Sequence, residues 1–176
     1  MTVIGGSSKQ AQAARDAAWS ELAAVDAELS RFREASDLSR ANVSAGTGSW
    51  HDAGPRLRRM IATAWRAQRA TAGRFDARVI GILEAIGEPA GVRLPPSDLD
   101  ADNWLARDGR TARVRLASPI DSGGLAKGLG LRWAIAAARA AAPRPSGMLL
   151  EAGGDIVASG PGPIEGRWSV GIEDPA

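Results

Sequence analysis

The chain contains no cysteine, no tyrosine and one histidine among its 176 residues. Without cysteine there is no disulfide and no thiolate metal site, so thiol usage gives no reading of the redox compartment. With His51 alone, a cluster of histidine ligands is excluded. Lysine is almost as scarce: Lys9 and Lys127 stand among 22 basic residues, and arginine supplies the rest. No apolar run is long enough to cross a membrane as a helix. The opening "MTVIGGSSKQAQAARD" lacks the basic start and apolar stretch of a signal peptide. The expected compartment is therefore the cytoplasm, with an exported or lipid-anchored parent left open.

The scarcity of titrating groups also explains a misleading number. The sequence pI is about 9.9, yet the formal net charge is only +2. With no cysteine or tyrosine, almost nothing titrates between pH 7 and the lysine range, so a small excess of charge lifts the pI far. Arg56, Arg58, Arg59, Arg66 and Arg69 crowd one stretch, "RLRRMIATAWRAQR". That pattern is more often a solvated helix face than a nucleic-acid stripe, and no nucleic-acid partner is expected.

What is present is a globular composition, 44% hydrophobic, in a length that fits one domain over residues 1–176. Leu22, Val25, Leu29 and Phe32 recur at helical spacing and predict a helix over 9–32 with those residues on its buried face. "FREASDLSRANVSAGTGSW" reads as loop with a short helical turn. Pro55 suits a first helical turn, and Leu57, Ile61 and Trp65 form a stripe, predicting a helix over 55–72 that stops at Gly73. An apolar stretch follows over 79–86, then a surface segment rich in proline and glycine. The alternation in "ARVRLA" predicts a strand over 111–117. "PIDSGGLAKGLGLRWAIAAARAAA" reads as a glycine-rich loop feeding a helix with Leu125, Leu129 and Trp133 on one stripe. "GMLLEAGGDIVASG" and "GRWSVGIED" read as short strands with glycine turns. The tryptophans Trp19, Trp65 and Trp133 fall in helical patterns and are expected in core or interface. The order of elements predicts a mixed α/β (α+β) fold with helices packed on a mixed sheet.

Two glycine clusters raise a chemical question. Glycines opening a helix expose backbone N–H groups at the positive end of the helix dipole, where a phosphate is favoured, and Lys127 adds a point charge. The spacing matches neither a P-loop nor the dinucleotide fingerprint, so a plain turn with a solvated lysine fits equally. Gly153, Gly154 and Asp155 pose the same alternatives: a hairpin turn, or a backbone that approaches a ligand. No G-x-S-x-G elbow marks a serine nucleophile.

Read in order, "LSRFREASDLSRAN", "GRFDARV", "IDSGGLAKGLGLRWAI", "LLEAGGDIVASG" and "WSVGIEDP" together resemble the ApbE family, the FAD:protein FMN transferases. The resemblance runs from Leu29 to Pro175. It implies a magnesium-dependent enzyme that moves the FMN half of FAD onto a serine or threonine hydroxyl of an acceptor flavoprotein, releasing AMP. Two alternatives go with it: an FAD-binding module without turnover, or a pyrophosphatase giving FMN and AMP. By resemblance, Asn42 and Lys127 are the catalytic candidates, Lys127 as neutraliser of phosphate charge. Phe75, Asp76 and Ala77 match the segment lining the flavin, and Asp121, Gly123, Gly124 and Lys127 the pyrophosphate loop. Gly153, Gly154 and Asp155 match a nucleotide-contacting turn, and the Ala126 carbonyl the position of a Mg2+ ligand. Asp121 would shape its loop by accepting from backbone amides. A homodimer is left open among the partners.

Departures from the family pattern are also legible. "FDARV" replaces F-D-P-T-V, which leaves open whether Arg78 intrudes on the flavin or clasps a phosphate. Ser122, Leu125 and Glu151 replace other residues of the blocks. His51 lies in the wrong block to be the histidine of the family's later H-x-I-x-[DN]-P-x-T-G stretch. The chain is expected to be a truncated member or fragment, lacking the usual C-terminal part and the first N-terminal strand.

Overall fold

The computed structural model describes residues 1–89, 91–100 and 103–171. Along the chain lie β1 (Thr2–Ile4), α1 (Ser8–Leu29), α2 (Asp37–Val43), β2 (His51–Asp52), α3 (Pro55–Ala70), α4 (Ile80–Ala85), β3 (Leu105–Arg107), β4 (Arg113–Leu116), α5 (Gly123–Ala141), β5 (Gly147–Ala152) and β6 (Asp155–Ser159). The α+β composition is as expected. The strands among the described residues form two antiparallel three-stranded sheets, β1-β5-β6 and β2-β4-β3, in place of one mixed sheet. The chain divides into two compact units, Met1–Ala23 with Lys127–Ala176, and Ala24–Ala126.

In the first unit, Thr2, Val3 and Ile4 pair with Leu149, Met148 and Gly147. The N-terminus thus contributes a strand of its own, β1. The unit's core packs alanines against larger side chains: Ala14 and Ala18 of α1, Leu131, Ala134, Ile135 and Ala138 of α5, and Met148 and Leu150 of β5. The α5 stripe named from sequence is displaced by the real one. Leu129 and Trp133 are half-buried, and the buried face carries Leu131, Ala134, Ile135 and Ala138. Alanines at these positions make little apolar contrast, so the pattern pointed to the larger residues beside them. Trp19 is 69% exposed and is not core. In the last turn of α5, Arg139 donates to the carbonyls of Pro145, Ser146 and Ser159, which ties the helix end to the residues leading into β5 and to the end of β6. "GRWSVGIED" forms no strand within the described residues, only isolated bridges at Gly162–Gly166 and Ile164–Arg167. Ile172 to Pro175, the end of the "WSVGIEDP" block, lie outside the described residues.

In the second unit the serine-rich block is structural. The α1 helix ends at Leu29, three residues before the predicted end, and Phe32 is 60% exposed. The reason is local: Ser36 donates from its hydroxyl to the Ser30 carbonyl at 2.7 Å while accepting from the Ser39 amide at 3.0 Å. One side chain therefore satisfies the end of α1 and caps the start of α2. The α3 helix begins with Pro55 in its first turn and buries Leu57, Met60, Ile61 and Ala64; Trp65 is half-buried. It closes with the bonds Gly73 N–H to Gln68 C=O and Ala72 N–H to Arg69 C=O, a Schellman ending. Ala72 (φ 50°) as well as Gly73 (φ 81°) is left-handed there. The strand read from "ARVRLA" is β4, where Val114 and Leu116 are buried and Arg113 and Arg115 exposed. Trp104, the one tryptophan that is fully buried among the described residues, carries no helical period and was not anticipated as core. Its indole donates to Gln68 at 2.7 Å, as a buried N–H requires.

Candidate functional site

In the second unit, residues 120–122 are held from three sides. The Asn42 amide, fully buried, donates to the Ile120 carbonyl at 2.8 Å and accepts from the Ile120 N–H at 3.0 Å. The Asp121 N–H donates to the Ala77 carbonyl at 2.6 Å. The Ser122 hydroxyl donates to the Leu29 carbonyl at 2.8 Å. Asn42 is thus committed to fixing the backbone one residue before Asp121. Ser122, at a family position usually hydrophobic, closes off the last carbonyl of α1.

The glycine-rich loop expected after Asp121 is not a loop. Gly123 opens α5, and Gly124, Ala126, Lys127 and Gly128 lie in its first turns. The Asp121 carboxylate accepts from the Gly123 N–H at 2.7 Å, and its other oxygen lies 3.3 Å from Arg31 Nε. A negative group at the first N–H of a helix is favoured by the unsatisfied amides and the dipole there. A Cβ on Gly123 would come within 2.8 Å of that carboxylate oxygen, and one on Gly124 within 3.1 Å of the Phe75 ring. Both glycines therefore have a reason inside the fold. The guanidinium of Arg31 stacks over Phe32 at 4.6 Å, and its Nη1 is buried without a hydrogen-bond partner. Sequence reasoning missed Arg31, because its pairing with Asp121 spans the whole unit and leaves no local pattern.

Phe75 is half-buried, with its N–H donating to the Thr71 hydroxyl at 2.9 Å. Asp76 faces inward to the chain itself. It accepts from Arg78 Nη2 at 2.7 Å, Arg78 Nε at 3.0 Å, the Arg78 N–H at 2.9 Å and Gln68 Nε2 at 2.8 Å. Burial pushes its carboxyl up, but the hydrogen bonds and charge of Arg78, with the Gln68 bond, outweigh this and hold it below the usual carboxylate range. Arg78 is 4% exposed and also donates to the Asp98 carbonyl at 3.0 Å. Its side chain brackets Asp76 and the Asp98 carbonyl from within the fold. His51 Nε2 lies 2.7 Å from Asp37, whose second oxygen accepts from the Gly54 N–H at 2.7 Å. Asp37 thus joins α2 to β2 through His51 and to the start of α3 through Gly54.

In the first unit, Gly153 and Gly154 form the two-residue turn between Ala152 and Asp155. Both have positive φ, 59° and 89°, as a type I′ hairpin demands. Glu151, at the position where the family usually has asparagine, accepts from the Gly154 N–H at 3.0 Å. Asp155 is exposed at the start of β6. Lys127 is exposed on α5 and makes no ion pair among the described residues. Beside it, Gly128 has ordinary helical backbone, and a Cβ there would meet nothing within 4 Å. Unlike the other glycines of the candidate site, it has no reason inside the fold.

At the expected metal position stands the Ala126 carbonyl, which in a regular helix already accepts from the amide four residues on. Both Asp121 oxygens are engaged, and no group of three or more acidic, histidine or cysteine side chains converges among the described residues. These residues alone do not make a magnesium site.

A family model, the ApbE family, matches residues 2–176. No curated protein matches. Among solved structures, the chain is similar to the apo form of the flavinyl transferase ApbE of Pseudomonas stutzeri, at 24% identity and a TM-score of 0.77, covering 96% of this chain and 55% of that one. It is similar to the flavin transferase ApbE from Vibrio cholerae, at 22% identity and a TM-score of 0.73, covering 97% and 57%. A third likeness is to the ApbE protein from Thermotoga maritima, at 24% identity and a TM-score of 0.79, covering 97% and 58%. At these identities the likeness establishes the fold. The chain spans between 55% and 58% of the length of these relatives.

Proposed function

The chain belongs to the ApbE family, and from that premise we propose that residues 1–176 are an ApbE-like domain serving FAD:protein FMN transfer. In this reaction a serine or threonine hydroxyl of an acceptor flavoprotein attacks the FMN-side phosphorus of FAD. A phosphorus–oxygen bond to the acceptor forms, the pyrophosphate bond breaks, AMP leaves with the bridging oxygen, and the hydroxyl proton is given up to base. The demand on the protein is positional: hold the pyrophosphate and keep the attacking oxygen in line.

The observation that carries this reading is Gly128 beside Lys127. A glycine in an exposed helical position loses about 0.8–1 kcal/mol relative to alanine, and nothing within the fold requires it. A bare backbone next to an unpaired lysine suits the close approach of an anionic ligand such as a pyrophosphate. Within the second unit, Asp121, Gly123 and Gly124 would set the start of α5, and Phe75, Asp76 and Ala77 would line the flavin; in the first unit, by resemblance alone, Gly153, Gly154 and Asp155 would be a nucleotide-contacting turn. Asn42 acts through Ile120 as a positioning residue. Magnesium, when bound, would neutralise phosphate charge, with the Ala126 carbonyl at the position of one ligand.

Isothermal titration of FAD, with and without magnesium and with AMP assayed in the same mixture, tests this. Binding with AMP release supports transfer or hydrolysis, which an acceptor bearing a serine or threonine target then separates. Binding without AMP reduces the chain to an FAD-holding module. Absence of binding removes the proposal.

A further inference from the structure

The arginine stretch set aside as a solvated face acquires a counterpart in the fold. A cleft of about 380 Å³ in the second unit is lined by Arg58, Arg59 and Arg66 of α3 and by Arg107 and Arg113 of the β3–β4 hairpin, with Asp108 as its one carboxylate. Five of the 22 basic residues thus converge on one cleft, from two elements far apart in sequence, in a chain whose net charge is only +2. Asp108 does little to neutralise them: its carboxylate accepts from the Arg110 N–H at 2.9 Å and the Thr111 hydroxyl at 2.8 Å, closing the hairpin turn. Asp52, 85% exposed, lies 3.7 Å from Arg113 Nε, a solvent-screened pair of small weight. Arg59 and Arg66 are exposed and make no ion pair among the described residues.

We propose that this cleft is a docking groove for an acidic segment of a partner protein, separate from the flavin residues. Guanidinium groups pair with carboxylates in forked geometry. Arg59 and Arg66 lie two turns apart on α3, about 10 Å by helical rise, so the row is matched by several carboxylates along an extended segment and not by a single small anion. Nucleic acid fits less well. Single strands gain much of their affinity by stacking bases on open aromatic rings, and Trp65, beside the cleft, is already covered by Arg69 at 4.9 Å and Arg107 at 5.9 Å. Complementary charge of this kind speeds encounter and fixes register.

The test is fluorescence anisotropy of a labelled oligoglutamate peptide with the full chain at low and physiological salt. The double variant Arg59→Glu/Arg66→Glu should bind at least about tenfold more weakly, a difference of about 1.4 kcal/mol. Arg144→Glu, an exposed charge reversal in the other unit, should leave binding within about twofold. Circular dichroism checks that both variants fold; if the double variant does not, Arg107→Glu/Arg113→Glu takes its place. No binding by the wild-type chain, or an equal loss in Arg144→Glu, overturns the proposal. So does a single-stranded oligonucleotide that binds more tightly through the same arginines.

Discussion

Replacing Gly128 by alanine should make the chain more stable and a worse binder of FAD. The position is the sixth residue of α5, with unremarkable helical backbone and open space where the Cβ would go. Alanine gains about 0.8–1 kcal/mol of helix propensity there, and no neighbour within 4 Å subtracts from it. For a chain of this size that is a rise of about 2–4 °C in Tm. If FAD needs the bare backbone, the same methyl group overlaps the ligand, and overpacking of that kind costs about 1–3 kcal/mol, roughly fivefold to 150-fold in Kd. Differential scanning calorimetry and FAD titration on the same preparation read the two effects independently. A fall in Tm would mean that the space beside Gly128 is not open. A rise in Tm with unchanged affinity would mean that the glycine serves no ligand, and the reading of α5 as a pyrophosphate site would lose its main support.

Lys127→Ala should weaken FAD binding by about 1–3 kcal/mol, as for loss of a charge-assisted hydrogen bond, while Tm stays put because Lys127 has no ion-pair partner among the described residues; equal affinity would count against its role. Asn42→Ala should instead unfold more easily, by roughly 2–4 kcal/mol, since the N–H and C=O of Ile120 would both be left buried without their present partner; urea titration measures it, and a stability loss below the detection limit would contradict the buried geometry. The Asp76 carboxyl is held below its usual range, so the unfolded chain takes up its proton first as pH falls. Its contribution is full above the ordinary aspartate pKa near 4 and is lost as pH drops through the lower native value. Asp76→Asn should therefore be less stable than wild type at pH 7, with the gap narrowing below about pH 4; a gap independent of pH down to 3 would refute the linkage.

How legible the chain was depended on the range of the interactions. Elements set by local rules read well: Pro55 opening α3, the alternation of β4, and the paired glycines between β5 and β6 all follow from backbone geometry within a few residues. Errors arose where partners outside the element's own periodic pattern decided. The α1 helix stops at Leu29 because Ser36 and Ser39 reach back to the Ser30 carbonyl, and a hydrophobic period that continued to Phe32 could not register that. On α5 the buried face sets Gly130, Ala134 and Ala138 beside Leu131 and Ile135, and small residues at three of five positions blur the true stripe beside the one drawn by leucine and tryptophan. Trp104 is buried from an irregular segment with no period at all.

The candidate site shows the same division, with a consequence for how its motifs are weighed. Asn42, Asp76, Gly123, Gly124, Gly153 and Gly154 each have a partner or a steric reason within the fold. Their presence is therefore explained by folding before any ligand is invoked. Arg31 reverses the case, since its buried Nη1 has no partner and its pairing with Asp121 left no trace in the sequence pattern. Residues that the fold does not require discriminate best between a binding site and its scaffold. Lys127 and Gly128 are of that kind, adjacent on α5, so the flavin reading stands or falls on them more than on the motif residues around them.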